Sequence, residues 1–139
     1  MLRGLNMDRQ LLISSLIDYA GRNHSSTEVV ATDSSGAVHR SNWGEIRSRS
    51  MQLASALLQQ GIHPGDRVAT IAWNDHRHLE LYYSITGIGS VLHTVNPRLR
   101  EQQIAWILNH AEDQIVFIDP DFLPIAEAID SEASSVRQW

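Results

Sequence analysis

The 139-residue sequence contains no cysteine and no lysine. Without cysteine the chain forms no disulfide, no thiolate metal site and no thiol nucleophile, which fits a reducing compartment. All 11 basic residues are arginines, and the 16 acidic residues leave a formal charge of -5. That balance disfavours a nucleic-acid partner, because such partners are held by a basic face.

Long apolar runs are also absent from the sequence. None approaches the roughly 18 residues of a membrane span, and the opening MLRGLNMDRQLLISSLIDYAG lacks the uninterrupted apolar core of a signal peptide. We therefore expect a cytoplasmic chain with no membrane span. Its hydrophobic content of 42% is enough for one domain with a single core.

The first 40 residues predict a helix followed by a β-hairpin. Residues 8–22 place apolar side chains at helical spacing, which predicts an amphipathic helix. The residues that recur at helical spacing on the predicted inner face are Leu12, Ser15, Leu16, Tyr19 and Ala20. The next segment, TEVVATDSSGAVHRSN, predicts a hairpin because two short strand patterns flank the turn residues DSSG.

The following helix has start and stop signals of its own. Asn42 is the predicted N-cap, and Glu45 is placed to return a hydrogen bond to the backbone of the cap. Gly61 is expected to end the helix, with Ile62 folding back on Leu57 as in a Schellman motif. Both ends of this helix are thus predicted from local chemistry.

Strand and helix patterns alternate from residue 66 onwards. The predicted elements are strands 68–72, 91–95 and 115–118, and helices 76–88, 101–111 and from about 122. Right-handed crossovers between parallel strands are the expected connection. The predicted fold class is therefore α/β, with a doubly wound, mainly parallel sheet within residues 41–130. The small polar residues of 131–139 predict a flexible tail.

The strand ends are the place to look for a ligand site, because open parallel sheets bind ligands beyond the carboxyl ends of their strands. The segments that follow the strands are Trp73-Asn74-Asp75, His93-Thr94-Val95-Asn96-Pro97 and Asp119-Pro120-Asp121. We therefore select candidates for residues that face a crevice at this edge of the sheet. They are Trp73, Asn74, His93 and Asn96.

Structural roles compete with functional ones at these positions. Turn chemistry accounts for Asn96 and the proline that follows it as a corner of the scaffold. His93 is expected to be a hydrogen-bonded structural histidine, and Trp73 a packing anchor. His76 and His78 point about 200° apart on a helix and so do not chelate one ion. The sequence alone therefore assigns no catalytic, cofactor-binding or metal residue.

Four segments together resemble a known family in register. They are WGEI at 43–46, GIHPGDRVA at 61–69, WN at 73–74 with RHLE at 77–80, and LHTVNPRL at 92–99. From about Ser41 to Asp119 the sequence strongly resembles the N-terminal part of AMP-forming acyl-CoA synthetases, most closely their fatty-acyl-CoA ligase branch. The resemblance implies an incomplete piece of the large N-terminal domain of adenylate-forming enzymes.

The resemblance also implies a reaction and its cofactors. Such enzymes activate a fatty acid or other carboxylic acid with MgATP to an acyl-adenylate, and then transfer the acyl group to the thiol of coenzyme A. The phosphate loop of the family carries a lysine, and a second lysine comes from a C-terminal domain. This chain has neither, so we predict that it binds no cofactor and is inactive alone, and that ATP, Mg²⁺ and coenzyme A belong to the full-length enzyme.

Two other classes of function stay open at this point. One is an autonomous, small flavodoxin-like binding or signalling module. The other is a dimerisation or interaction fragment, since a severed domain leaves sheet edges and apolar faces uncovered. Self-association to a dimer or a larger species is the partner prediction that follows. The sequence does not predict which acyl chain length the enzyme prefers.

Overall fold

Strands and helices alternate along residues 10–139, the part of the chain that the computed structural model describes. In order, the elements are α1 (Ser14–Asn23), β1 (Glu28–Thr32), β2 (Val38–Asn42), α2 (Trp43–Gln59), β3 (Arg67–Ile71), α3 (His76–Gly87), β4 (Val91–Thr94), α4 (Glu101–Ala111), β5 (Asp113–Ile118), a 3₁₀ turn (Pro120–Phe122) and α5 (Leu123–Ile129). Every strand and helix predicted after residue 66 is present, with ends displaced by no more than two residues.

The strands form two separate sheets. β1 and β2 pair antiparallel as the predicted hairpin, and Gly36 in its turn has a φ of 83°, a conformation that glycine adopts without strain. β3 lies between β4 and β5 in a three-stranded parallel sheet. The α/β fold class with a parallel sheet is therefore confirmed.

Helices cover both faces of the parallel sheet. On one face, α2 and α3 enclose a core of Leu57, Ile62, Val68, Leu81, Ile85 and Ile115. On the other, α4 and α5 enclose a core that includes Ala69, Ile71, Val95, Ile104, Leu108, Val116 and Ile129. Four of the five residues of β3 are consequently buried. A strand covered on both faces needs the continuous apolar run that the sequence shows here.

Local signals set the ends of α2 as expected. The side-chain oxygen of Asn42 accepts a hydrogen bond from the backbone N–H of Glu45 at 2.9 Å. At the other end, the N–H of Gly61 donates to the carbonyl of Leu58 and the N–H of Ile62 to that of Leu57. These are the two bonds of a Schellman motif.

The apolar face predicted for the first helix is wrong. α1 begins at Ser14, and the predicted start at residue 8 lies outside the described residues. Leu12, Leu16 and Tyr19 are 53%, 62% and 62% exposed, whereas Ile17 is buried. The reason is that α1 packs on α2 through Ile17 and through an ion pair of Asp18 with Arg47 at 2.8 Å, which turns the other apolar stripe outward.

The last residues, for which the sequence predicts a flexible tail, lie along the edge of β5. The N–H of Arg137 donates to the carbonyl of Gln114, and the N–H of Val116 to that of Gln138. The indole of Trp139 donates to Asp130 at 2.7 Å. Backbone pairing with an open strand edge does not require apolar side chains, so composition gave no sign of it.

Candidate functional site at the strand ends

The ends of β3 and β5 meet at one edge of the sheet. The backbone N–H of Trp73 donates to Asp119 at 3.3 Å, and its indole N–H donates to Asp121 at 2.9 Å. The indole ring also packs against Phe122, with ring centroids 4.9 Å apart. Trp73 therefore joins the two strand ends as a packing and hydrogen-bonding anchor.

The chain leaves β3 and β5 towards opposite faces of the sheet. α3 follows β3 onto the face covered by α2, and α5 follows β5 onto the face covered by α4. Such a divergence is the usual position of a ligand crevice in doubly wound sheets. A small cavity of about 140 Å³ lies there, and its lining includes Asp75, Arg77, His78 and Asp119.

The charged groups of this crevice are already engaged. Asp75 is the N-cap of α3 and accepts hydrogen bonds from the N–H groups of Arg77 and His78 at 2.9 and 3.1 Å. The Arg77 guanidinium lies 3.8 Å from both Asp75 and Asp119. The positive end of the α3 dipole is thus neutralised by a carboxylate of this chain, which leaves it unsuited to a phosphate group.

The hairpin turn reaches the same edge. Hydrogen bonds from Ser34 and Trp73 hold the pKa of Asp121 below its usual value. Hydrogen bonds from Ser35 and the N–H of Ala37 likewise lower the pKa of Asp33. Both carboxylates are therefore ionised at neutral pH. Sequence reasoning did not place the hairpin here, because a contact between residues this far apart in the chain leaves no local pattern.

Beside the crevice, an apolar groove of about 480 Å³ separates β1 from α3. Its apolar lining comprises Val29, Val30, Ala31, Leu79, Tyr82 and Tyr83, and Asn74, Asp75, His76, His78 and Thr94 form its polar part. His78 hydrogen-bonds Asn74 and, through its other ring nitrogen, Thr70. Burial lowers the pKa of His78, so this imidazole is neutral at pH 7.

The four sequence candidates do not lie together. Trp73 and Asn74 follow the end of β3, and Asn74 lines the groove. Asn96 is exposed and its side chain accepts from the N–H of Arg98 at 3.0 Å, which makes it a corner of the chain. His93 bonds the buried Asp113 at 2.6 Å, and Asp113 is the first residue of β5, at the opposite end of that strand from the crevice.

Within residues 10–139, no three His, Asp or Glu side chains come together in a way that would hold a metal ion. The same residues contain no helix with the length and apolar character needed to cross a bilayer. The N-cap role of Asp75 was missed by the sequence reasoning, although an Asp directly before a helical pattern is a recognised signal.

Comparisons with known proteins identify the family that this chain resembles. The model of the AMP-binding enzyme family matches residues 18–138. The chain is 49% identical over 136 residues to a medium-chain-fatty-acid–CoA ligase of Ectopseudomonas oleovorans, which covers 98% of this chain and 25% of the relative. It is 47% identical, with the same coverage, to a 3-methylmercaptopropionyl-CoA ligase of Ruegeria lacuscaerulensis.

Solved structures agree with the fold. The N-terminal domain of FACL13 from Mycobacterium tuberculosis superposes with a TM-score of 0.73 at 22% identity, over 88% of this chain and 32% of that domain. The chain spans about a quarter of the length of the curated relatives that it matches.

Proposed function

Because this chain belongs to the family of AMP-binding enzymes, as its resemblance to AMP-forming acyl-CoA synthetases predicted, we propose that it is the N-terminal part of an ATP-dependent fatty acid–CoA ligase. The observation that carries the proposal is the 49% identity with a medium-chain-fatty-acid–CoA ligase over 98% of the chain. In the first step the carboxylate attacks the α-phosphorus of ATP, which gives an acyl-adenylate and releases pyrophosphate. In the second step the thiol of coenzyme A displaces AMP to form the thioester.

The role proposed for these 139 residues is that of a rigid platform, inactive alone. Adenylyl transfer requires preorganised donors and a metal ion around the phosphate oxygens. Here the chain has no lysine, and the first turn of α3 is capped by Asp75. The groups that would hold ATP, Mg²⁺ and coenzyme A are therefore proposed to lie in the remaining three quarters of the protein, in keeping with the 25% coverage of the relatives.

The proposed substrate is an aliphatic carboxylic acid, with a fatty acid as the first choice. Two relatives with nearly equal identity to this chain have different names, one for a medium-chain fatty acid and one for a 3-methylmercaptopropionyl group. Both names describe an acyl group carried as a CoA thioester. Acyl chain-length preference is therefore a question for the full-length protein.

A pyrophosphate-exchange assay tests the proposal on two samples, the full-length protein and the isolated 139-residue chain. We expect carboxylate-dependent exchange and consumption of the coenzyme A thiol from the full-length protein, with fatty acids of graded length as substrates. The isolated chain is expected to stay at the blank. Turnover by the chain alone would refute the platform role, and a full-length protein inactive on every carboxylic acid tested would refute the ligase.

Family membership does not favour an autonomous signalling module. The notion of an interaction fragment is compatible with membership, since a part of a larger enzyme presents surfaces that the rest would cover. We propose self-association of the isolated chain on that basis.

A further inference from the structure

Two histidines from different parts of the fold stack face to face. His39 belongs to β2 of the hairpin, and His76 is the first residue of α3. Their ring centroids are 3.7 Å apart and the planes are inclined by only 15°. The Nδ1 atom of His76 is buried and has no hydrogen-bond partner. The stack therefore joins the hairpin to the helix without a polar bond that fixes either ring's charge.

The surroundings of His76 favour the neutral imidazole. Asp75 and Glu80 are the nearby acids, and Arg77 and His39 are the nearby bases. Glu80 already pairs with Arg49 at 2.6 Å, and Asp75 already caps the helix. Burial, assisted by His39, lowers the pKa of His76. The positive end of the α3 dipole acts in the same direction.

We propose that the contact of His39 with His76 is a pH-sensitive latch, which holds the hairpin against α3 while the His76 ring is neutral and weakens when that ring is protonated. The neutral rings make van der Waals contact at this separation. A proton on His76 places a charge at a contact where the buried Nδ1 has no hydrogen-bond partner, which favours separation of the rings and access of water. This proposal does not depend on the ligase activity proposed above.

Release of the latch acts on the groove between β1 and α3. Val29, Val30 and Ala31 form the hairpin side of that groove, and Leu79, Tyr82 and Tyr83 form the helix side. The stack bridges the same two elements. Separation of the two rings therefore widens the groove and exposes its apolar lining. The contacts of Ser34 with Asp121 and of Trp43 with Thr27 keep the hairpin attached at its ends.

The direction of the pH effect follows from the depressed pKa of His76. A base with a lower pKa in the closed state than in the open one binds its proton more strongly when the latch is open. The closed state is therefore favoured at neutral pH. The preference for the closed state weakens as the pH falls below the ordinary imidazole pKa of about 6.5. It is lost fully once the pH is below the lowered pKa that His76 has in the closed state.

Hydrogen–deuterium exchange with mass spectrometry tests the latch on the 139-residue chain. The protein concentration is kept in the micromolar range to limit aggregation, because the sequence pI of about 5.7 lies between the two pH values compared. Exchange is compared at about pH 7.5 and about pH 5, on either side of the ordinary imidazole pKa, and corrected for the intrinsic rate at each pH. We expect protection of residues 28–42 to fall at the lower pH, because His76 binds its proton more strongly when the latch is open. Protection of α4 is expected to stay constant.

Variants distinguish the opening of the latch from a general loss of stability at low pH. His76→Phe keeps an aromatic ring in the stack but removes the buried titrating group, so hairpin protection is expected to become independent of pH. His110→Phe is the matched control, because His110 stacks on Trp106 elsewhere, and it is expected to behave as the parent. His39 is exposed, so His39→Ala tests the stack even if the His76 variant does not fold, and it is expected to lower hairpin protection at neutral pH. A loss of protection in acid that persists in the His76→Phe variant would overturn the proposal, as would full hairpin protection of the parent at pH 5 or unchanged protection of the His39→Ala variant at neutral pH.

Discussion

Among single residues, the fully buried Asp113 makes the most consequential polar contact. Its carboxylate accepts a hydrogen bond from Nδ1 of His93 at 2.6 Å, and its side chain is wholly inaccessible to solvent. Burial raises the pKa of Asp113, while the bond from His93 and the charge of Arg67 oppose that rise. Since His93 is on β4 and Asp113 on β5, the bond spans the central strand and ties the two outer strands together.

Replacement of Asp113 tests this tie. Asp113→Ala is expected to lower the free energy of unfolding by about 1–3 kcal/mol, because His93 loses its partner and a small cavity remains. Asp113→Asn keeps an oxygen acceptor for the imidazole N–H and is expected to cost less. Urea titration of both variants beside the parent measures the two losses. Equal losses, or a smaller loss for the alanine variant, would show that the bond contributes nothing.

The candidate site shows how far residue-level prediction reaches. Trp73 and Asn74 were placed correctly at the end of β3, because the position of a residue after an apolar run is readable from sequence. The surroundings of His93 were not readable, since its partner Asp113 is 20 residues away and on a strand that does not adjoin its own. Whether Trp73, Asn74 or Asn96 contacts a ligand stays a prediction.

At the scale of elements, α2 shows local chemistry deciding where a helix begins and ends. Asn42 leaves β2 and caps the helix directly, so one residue ends the hairpin and starts the next element. Of the predicted reciprocal pair, the bond from the N–H of Glu45 to the Asn42 side chain is present. At the far end, Gly61 has a φ of 77°, which permits the chain reversal that buries Ile62.

The cap is expected to have a measurable effect on stability. Asn42→Ala removes the acceptor for the N–H of Glu45 and should lower the free energy of unfolding by about 1 kcal/mol. Asn42→Asp is the matched control, because its carboxylate accepts the same bond and also favours the positive end of the helix. Thermal or urea unfolding of the two variants gives the comparison. An alanine variant as stable as the aspartate variant would contradict the importance of the cap.

The elements that sequence reasoning misjudged were those decided by long-range contacts. Periodicity identified α1 as a helix, but α1 carries apolar residues on more than one side. Packing against α2 determines which side of α1 is buried. Arg47 of α2 lies so close to Gly21 of α1 that a side chain at position 21 would clash with it. Residues 131–139 were expected to be loose because of their composition. Their order instead comes from backbone bonds to β5, which composition does not encode.

At the scale of the whole molecule, large apolar side chains are exposed at several places on the described surface. Around α1, Leu11, Leu12, Leu16 and Tyr19 are all more than half exposed, and so is Trp106 on α4. Val91 on β4, one of the two outer strands of the parallel sheet, is 48% exposed. Surfaces of this kind fit a chain that spans a quarter of the length of its relatives.

We expect the isolated chain to cover part of this surface by associating with itself. The chosen contact is the outward side of α1 together with the segment just before it, because Leu11, Leu16 and Tyr19 are 87%, 62% and 62% exposed there. Light scattering behind size exclusion should give about twice the monomer mass of 15.6 kDa or more, rising with protein concentration. Leu16→Glu is expected to shift the mass towards the monomer, since a charge there would be buried without a partner.

The control places the same charge on the other side of the sheet. Trp106 is 63% exposed on α4, and α4 covers the face opposite to the one that α2 covers. Trp106→Glu should therefore leave the mass of the associated species unchanged if α1 is the contact. Dissociation by Trp106→Glu but not by Leu16→Glu would assign the contact to α4. A mass of 15.6 kDa at every concentration would show instead that the isolated chain is monomeric.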